Sequence, residues 1–212
     1  MRAPPERDTR GPMSRGRRPA RCPTGEGGLF MAIRDTRDRF GLVSVFNHWV
    51  LVAVVLGLLV TGLLLAEVLP ESARPYLVPL HKQVGLVSAV LIGWMVIWRW
   101  TQKSRPGPIE GTSKPEALAR AGMHALLLIG AGVLVVSGVM MSILSGHEVS
   151  VLGLFTIPPI GEDKAQAALP HLVHEVVGWA MVAAVALHAA VGVKHHVLNK
   201  DETLTRMLGR GA

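Results

Sequence analysis

The chain has 212 residues, half of them hydrophobic and only 17% charged, with 22 Lys+Arg against 15 Asp+Glu and a formal charge of +7. A mean hydropathy of +0.38 beside that charge means that apolar and basic residues are segregated along the sequence, which excludes an ordinary soluble globule and a disordered chain. The single cysteine, Cys22, excludes a disulfide scaffold, a Cys-rich zinc or iron-sulfur site and covalent haem attachment through C-x-x-C-H.

Residues 1–39 are rich in Arg, Pro and Gly and lack the apolar core of a signal peptide. They are expected to form a disordered, solvated cytoplasmic tail rather than an arm that binds nucleic acid or anionic lipid. Met31 opens the run MAIRDTRDRF and is a second candidate start. Beyond it, 27 uncharged residues separate Arg39 from Glu67, more than the roughly 20 a helix needs to cross a bilayer. The first span is placed at about 42–66. A second, at about 80–101, carries Lys82 and Arg99 near its ends, where long cationic side chains reach the headgroups. The third, at about 121–145, lies within the 27 uncharged residues between Arg120 and Glu148. The fourth, at about 168–198, has no charge from Val176 to Val193, which a soluble amphipathic helix would not sustain. These runs are too long for barrel strands. The expected fold is therefore all-α, an integral membrane four-helix bundle over residues 40–208. Gly85, Gly93, Gly130, Gly132, Gly138 and Gly178 lie in the spans, where small residues let helices approach closely or leave room for a flat cofactor.

Basic residues set the orientation. Ten lie in the N-terminal segment, five between Arg99 and Arg120 and four from Lys194 onward, leaving Arg74, Lys82 and Lys164 on the other side. The positive-inside rule then puts both termini and the middle loop in the cytoplasm. Trp98 and Trp100 flank Arg99 as part of an aromatic belt.

A histidine in a membrane helix is a functional candidate, because an unpaired polar ring is costly in lipid. His48 in FNHWV falls near the cytoplasmic side and His81 in LHKQVG near the outer side. The fourth helix carries His174 early and His188 late, 14 residues apart. That spacing is about 21 Å of rise and falls only about 40° short of four full turns, so the two share one face at two depths. His48 with His188 and His81 with His174 form depth-matched pairs. Two facing imidazoles without Cys or a carboxylate cluster suit bis-histidine ligation of a haem better than a zinc site.

Rivals exist at each depth. His171 precedes His174 by three and competes as the outer ligand, and His124 opens the third helix at the depth of His48. Either could instead serve as a hydrogen-bond partner to a propionate or a ligand. His195 and His196 are expected at the interface and His147 in solvent. Arg99, Lys82 and Lys194 could neutralise propionates, although snorkelling explains each equally well. Met140 and Met141 are assigned to packing, and H-E-V-V-G at His174 lacks the second His of a metalloprotease motif.

The runs FNHWV, LHKQVG, LGLFTIPP, LPHLVHE, ALHAAVGVKHH and ETLTRML resemble the bacterial cytochrome b561 family, related to the cytochrome b subunits of nickel-iron hydrogenases. The similarity covers about residues 40–208. It implies a four-helix inner-membrane cytochrome with two non-covalent haems b, His48 and His188 holding the cytoplasmic-side iron and His81 and His174 the periplasmic-side iron. The basic tail departs from the family pattern. So does Ala121, where relatives often carry a histidine, which weakens a role for His124.

The expected function is transmembrane electron transfer through the two haems. The chain also resembles a family member that is a superoxide oxidase passing electrons from periplasmic superoxide to membrane quinone. Yet the outer face counts three basic residues against Glu67, Glu71, Glu148, Glu162, Asp163 and Glu175, so it would not steer an anion globally, and the local feature is Lys82. The alternative is a haem-bearing membrane anchor of a hydrogenase or dehydrogenase. A haem-free histidine transporter fits least, for want of carboxylates deep in the spans. Expected partners are membrane lipid, a quinone, a periplasmic donor and a second copy of the chain, and not nucleic acid.

Overall fold

The computed structural model describes residues 32–109 and 111–209, so most of the basic tail and Met31 lie outside the described residues. Four long helices follow one another: α1 (Leu42–Leu63), α2 (Arg74–Thr101), α3 (Lys114–Leu144) and α4 (Lys164–Lys194). A π-helical turn, Leu64–Val68, extends α1, and a 3₁₀ turn, Glu71–Ala73, leads into α2. A second π turn, His195–Asn199, extends α4 before the short α5 (Thr203–Met207). Each of these four units is long and apolar enough to cross a membrane. The chain is an all-α integral membrane four-helix bundle.

The second, third and fourth helices begin earlier than the apolar runs do. Ser113 caps α3 by accepting from Glu116 N–H while the Glu116 carboxylate accepts from Ser113 N–H, and Pro115 sits in the first turn. Asp163 caps α4 by accepting from Ala165 N–H at 2.8 Å, and Pro75 opens α2. Hydropathy marks the part of a helix that lies in lipid, whereas caps mark where the helix begins.

Each helix packs on its neighbour in sequence and α1 closes lightly on α4, which gives a ring in which α2 and α4 are diagonal. The interior is unlike that of a soluble bundle. Among the described residues the buried apolar side chains are Ile143, Val149, Ala167, Met181 and Ala184, joined by Ser88, Ser137 and Ser142. The serines donate to carbonyls one turn back in their own helices, which satisfies them without a partner helix. Large apolar residues face outward instead, Val90 at 72% and Leu169 at 69% exposure. In water such a surface would aggregate, and in lipid it is solvated.

Between α3 and α4 lies a hairpin absent from the sequence expectation, β1 (Val149–Val151) antiparallel to β2 (Phe155–Ile157). Leu152 and Gly153 both take positive φ in the three-residue loop that joins the strands, where Leu154 N–H donates to the Val151 carbonyl at 2.8 Å. Val149 is almost fully buried and pins this hairpin to the bundle. This is the hairpin end.

At the opposite, terminal end, residues 32–39 differ from the tail assigned to them. Asp35 N–H donates to Gln102 Oε1 at 3.2 Å, Gly41 N–H to Asp35 Oδ1 at 2.8 Å, and the Arg34 guanidinium lies over Trp98 at 5.6 Å. A Cβ on Gly41 would fall 2.5 Å from the Arg34 backbone, so only glycine allows this close return. Composition alone could not show these contacts, because Gln102 lies 67 residues along the chain from Asp35.

The C-terminal segment closes on the same end. Trp49 Nε1–H donates to the Met207 carbonyl at 2.8 Å and Arg206 to the Gly107 carbonyl at 3.2 Å. Asp201 organises the return: one oxygen pairs with His195 Nδ1 at 2.5 Å and the other accepts from Thr203 N–H at 2.8 Å. Burial alone would raise the Asp201 carboxyl, but the hydrogen bonds from Thr203 and His195 outweigh it and hold it below the ordinary aspartate value. A depressed carboxyl contributes stability above its unfolded value and loses it as pH falls through the lower, folded one. Amides of Thr203–Met207 should therefore keep their exchange protection, corrected for intrinsic rates, from neutral pH down to the ordinary aspartate range near pH 4, and lose it only below. At neutral pH, Asp201→Ala should speed their exchange about fivefold, the effect of losing a hydrogen bond worth ~1 kcal/mol.

Candidate functional site

Two clusters of imidazoles stand at different depths on α4. Toward the hairpin end, His81 on α2 and His174 on α4 face each other across the diagonal, their ring centres 6.4 Å apart and their planes at 79°. The neighbouring helices hold these rings. Thr61 on α1 meets His81 Nδ1 at 2.9 Å. His174 Nδ1 is 3.0 Å from the Leu134 carbonyl and 3.1 Å from Ser137 Oγ, both on α3. Behind each ring lies a glycine: a Cβ on Gly62 would be 3.5 Å from His81 Cε1, and one on Gly138 would be 3.0 Å from His174 Cε1.

Toward the terminal end stand His48 on α1, His124 on α3 and His188 on α4. His124 touches His188 edge-on, with ring centres 5.2 Å apart, and its Nδ1 bonds to the Arg120 carbonyl at 2.8 Å. His48 packs edge-on against Trp49. Beside it, Asn47 accepts from Trp94 Nε1 and keeps a buried amide N–H without a partner among the described residues. His48 and His188 are half-buried, whereas His124 is exposed.

The other predicted residues fall elsewhere. His171 is exposed one turn before His174, and His147 and His196 are exposed. His195 pairs with Asp201 in the C-terminal return. Lys82 lines a cavity of about 600 Å³ at the hairpin end with Arg74, Gln83, His147 and Glu148. Arg74 is already engaged by Glu71 at 3.3 Å and by the Leu65 carbonyl at 3.2 Å. Arg99 and Lys194 are exposed.

What the sequence reading missed is the pair of hydroxyl-glycine steps, Thr61-Gly62 and Ser137-Gly138. Their signal is a hydroxyl followed by glycine deep in an uncharged run, which reads as small-residue packing until its partner helix is known.

A ring nitrogen binds a metal at about 2 Å and stands roughly 1 Å from its ring centre, so two imidazoles on opposite sides of one metal have centres about 6 Å apart. His81 and His174 at 6.4 Å match that span, and they do so across the bundle interior rather than at a tight helix contact. A transmembrane bundle with facing imidazoles at two depths defines a class, the membrane proteins that hold haem between helices. A model of the family described as prokaryotic cytochrome b561 matches residues 39–210. Two Escherichia coli (strain K12) proteins are similar along nearly their whole length. Cytochrome b561 homolog 2 is 29% identical over 184 residues, 86% of this chain and 97% of the homolog. Cytochrome b561 homolog 1 is 27% identical over 177 residues, 82% and 98%.

The chain belongs to the prokaryotic cytochrome b561 family. It is an integral membrane protein for haem-b electron transfer, with lipid and redox proteins or carriers as its partners.

Proposed function

We propose that this protein carries electrons through the membrane by two haems b, from a donor at the hairpin end to membrane quinone. His81 and His174 hold the outer haem and His48 and His188 the inner one. The observation that carries this reading is the 6.4 Å facing pair on α2 and α4, with a second histidine cluster 14 residues further along the same uninterrupted helix. When bound, the haems supply one-electron chemistry. The chain supplies ligands, a low-dielectric interior and a fixed separation of about 21 Å of helix rise between the two ligands on α4.

The orientation follows from charge. With 19 of 22 basic residues lying in sequence before α1, between Arg99 and Arg120 or from Lys194 onward, both termini face the cytoplasm and the hairpin end faces the periplasm across an inner membrane. The cytochrome unit takes in residues 32–39, which fold back onto the end of α2 before α1 begins. The cavity lined by Lys82, the residue after His81, is where a small donor would approach the outer site. Its lining mixes Lys82 and Arg74 with Glu71 and Glu148, so superoxide would be attracted only at short range, by the Lys82 ammonium.

Purified protein is expected to contain two haems per chain by pyridine haemochrome, to be reduced by superoxide in stopped flow, and to be reoxidised when a quinone is added. A colourless preparation would overturn the reading. Haems that superoxide leaves oxidised would remove superoxide as donor, and reduced haems indifferent to quinone would remove quinone as acceptor.

A further inference from the structure

The two hydroxyl-glycine steps flank the outer imidazoles in the same way, one from α1 onto α2 and one from α3 onto α4. The direction of their hydrogen bonds can be worked out. Thr61 Oγ1 lies 2.8 Å from the Gly57 carbonyl, and Ser137 Oγ lies 2.7 Å from the Val133 carbonyl. A hydroxyl has one proton to give. With that proton donated to its own helix, the oxygen meets the imidazole as an acceptor, and Nδ1 of the ring must carry the hydrogen. For His174 the Leu134 carbonyl, which can only accept, requires the same tautomer independently.

We propose that Thr61 and Ser137 are positioning residues for the outer haem: they hold His81 and His174 in the Nδ1–H tautomer, so that each ring offers the Nε2 lone pair to iron, and they lower the potential of that haem. The proposal rests on His81 and His174 as its ligands. An acceptor on Nδ1–H strengthens the imidazole as a donor, which favours the oxidised metal. Gly138 serves the same arrangement, because a Cβ there would stand 3.0 Å from His174 Cε1, whereas at Gly62 it would make only an ordinary 3.5 Å contact with His81.

The two positions are not equivalent. His174 has the Leu134 carbonyl as a second acceptor, so Ser137 shares its task, whereas Thr61 holds His81 by its own oxygen. Thr61→Val keeps the shape and removes the acceptor. It should shift the ferric-to-ferrous equilibrium of the outer haem about tenfold toward ferrous, a rise of about 59 mV for a one-electron couple. Ser137→Ala should produce a smaller rise, and Thr61→Ser should restore the original potential.

The test is a potentiometric titration of the purified holoprotein, followed in the visible bands together with the low-spin electron paramagnetic resonance signals. The outer haem is identified as the one that His81→Ala loses. A Thr61→Val protein that retains both haems with an unmoved outer potential overturns the proposal. If Thr61→Val fails to hold the outer haem, Ser137→Ala decides: a measurable rise supports the proposal and an unmoved potential overturns it. Two haems persisting in His81→Ala would instead defeat the ligand assignment, a different failure with a different signature.

Discussion

Replacing His188 with alanine is expected to leave one haem per chain where the unsubstituted protein holds two, counted by pyridine haemochrome against protein concentration. The surviving haem should be the one at the hairpin end, because α4 continues unbroken past His174 and the outer pair shares no contact with His188. The substitution should not unfold the bundle. His188 is half-buried, and apart from its contact with His124 the closest approaches of α3 to α4 are at Gly130–Met181 and Gly138–His174. Removing a single axial imidazole, by contrast, removes the ligand itself, an effect far beyond the 10–100-fold that outer-shell changes produce.

The same measurement settles which ring opposes His188. His124 touches it, but the ring centres are 5.2 Å apart, shorter than the span of about 6 Å that two imidazoles need around one metal. It is also exposed and bonded to the backbone of its own helix. His48 is half-buried, stands on the helix that touches α4 only lightly, and has the unpartnered Asn47 amide beside it as a donor for a carboxylate. His48→Ala should therefore lose the same haem as His188→Ala, and His124→Ala should keep both. Loss in His124→Ala with retention in His48→Ala would move the ligand to α3, and two haems in His188→Ala would overturn the inner pair altogether.

These histidines show what could be read without coordinates and what could not. Depth is nearly one-dimensional: once four uncharged runs are ordered by alternating entry, the height of every histidine follows from 1.5 Å of rise per residue, so His81 and His174 could be matched from sequence. Lateral order is different. Depth alone allows either His48 or His124 beside His188, and only the ring of helices, with α1 closing on α4 and α3 packed hard against it, brings the rivals into view. Helix ends were set late by hydropathy because Ser113, Asp163 and Pro75 lie in polar flanks that a lipid criterion ignores. The hairpin escaped because three-residue strands are too short for a period-two pattern to emerge. Thr61 and Ser137 escaped for a more instructive reason. A hydroxyl bonded back to its own helix looks inert from sequence, and its second role exists only through the ring that the neighbouring helix presents.

Gly138→Val is expected to empty the outer site while leaving the inner haem and the helical content in place. Even one methyl at this position would sit 3.0 Å from His174 Cε1 and 3.3 Å from its Nδ1, tighter than ordinary carbon contacts. Alanine can be accommodated if the ring gives by a few tenths of an ångström, at the expense of its bonds to Leu134 and Ser137. Valine adds two branches whose χ1 is nearly fixed in a helix, so they cannot turn away from the ring. The resulting overpacking, ~1–3 kcal/mol, falls on the ring orientation rather than on the fold, because the ring can swing out of its site while α3 and α4 keep their packing. At about 1.4 kcal/mol per factor of ten, this alone weakens haem affinity roughly 5- to 150-fold. Gly62 gives the internal comparison. A Cβ there would stand 3.5 Å from His81 Cε1, an ordinary contact, so Gly62→Ala should keep both haems with unshifted bands. The ordering Gly62→Ala, Gly138→Ala, Gly138→Val should thus run from no loss through partial to full loss of the outer haem, read as haem per chain at constant circular dichroism. Full outer occupancy in Gly138→Val would mean that the His174 ring does not need the place where the structure puts it, and would remove His174 as a ligand held against α3.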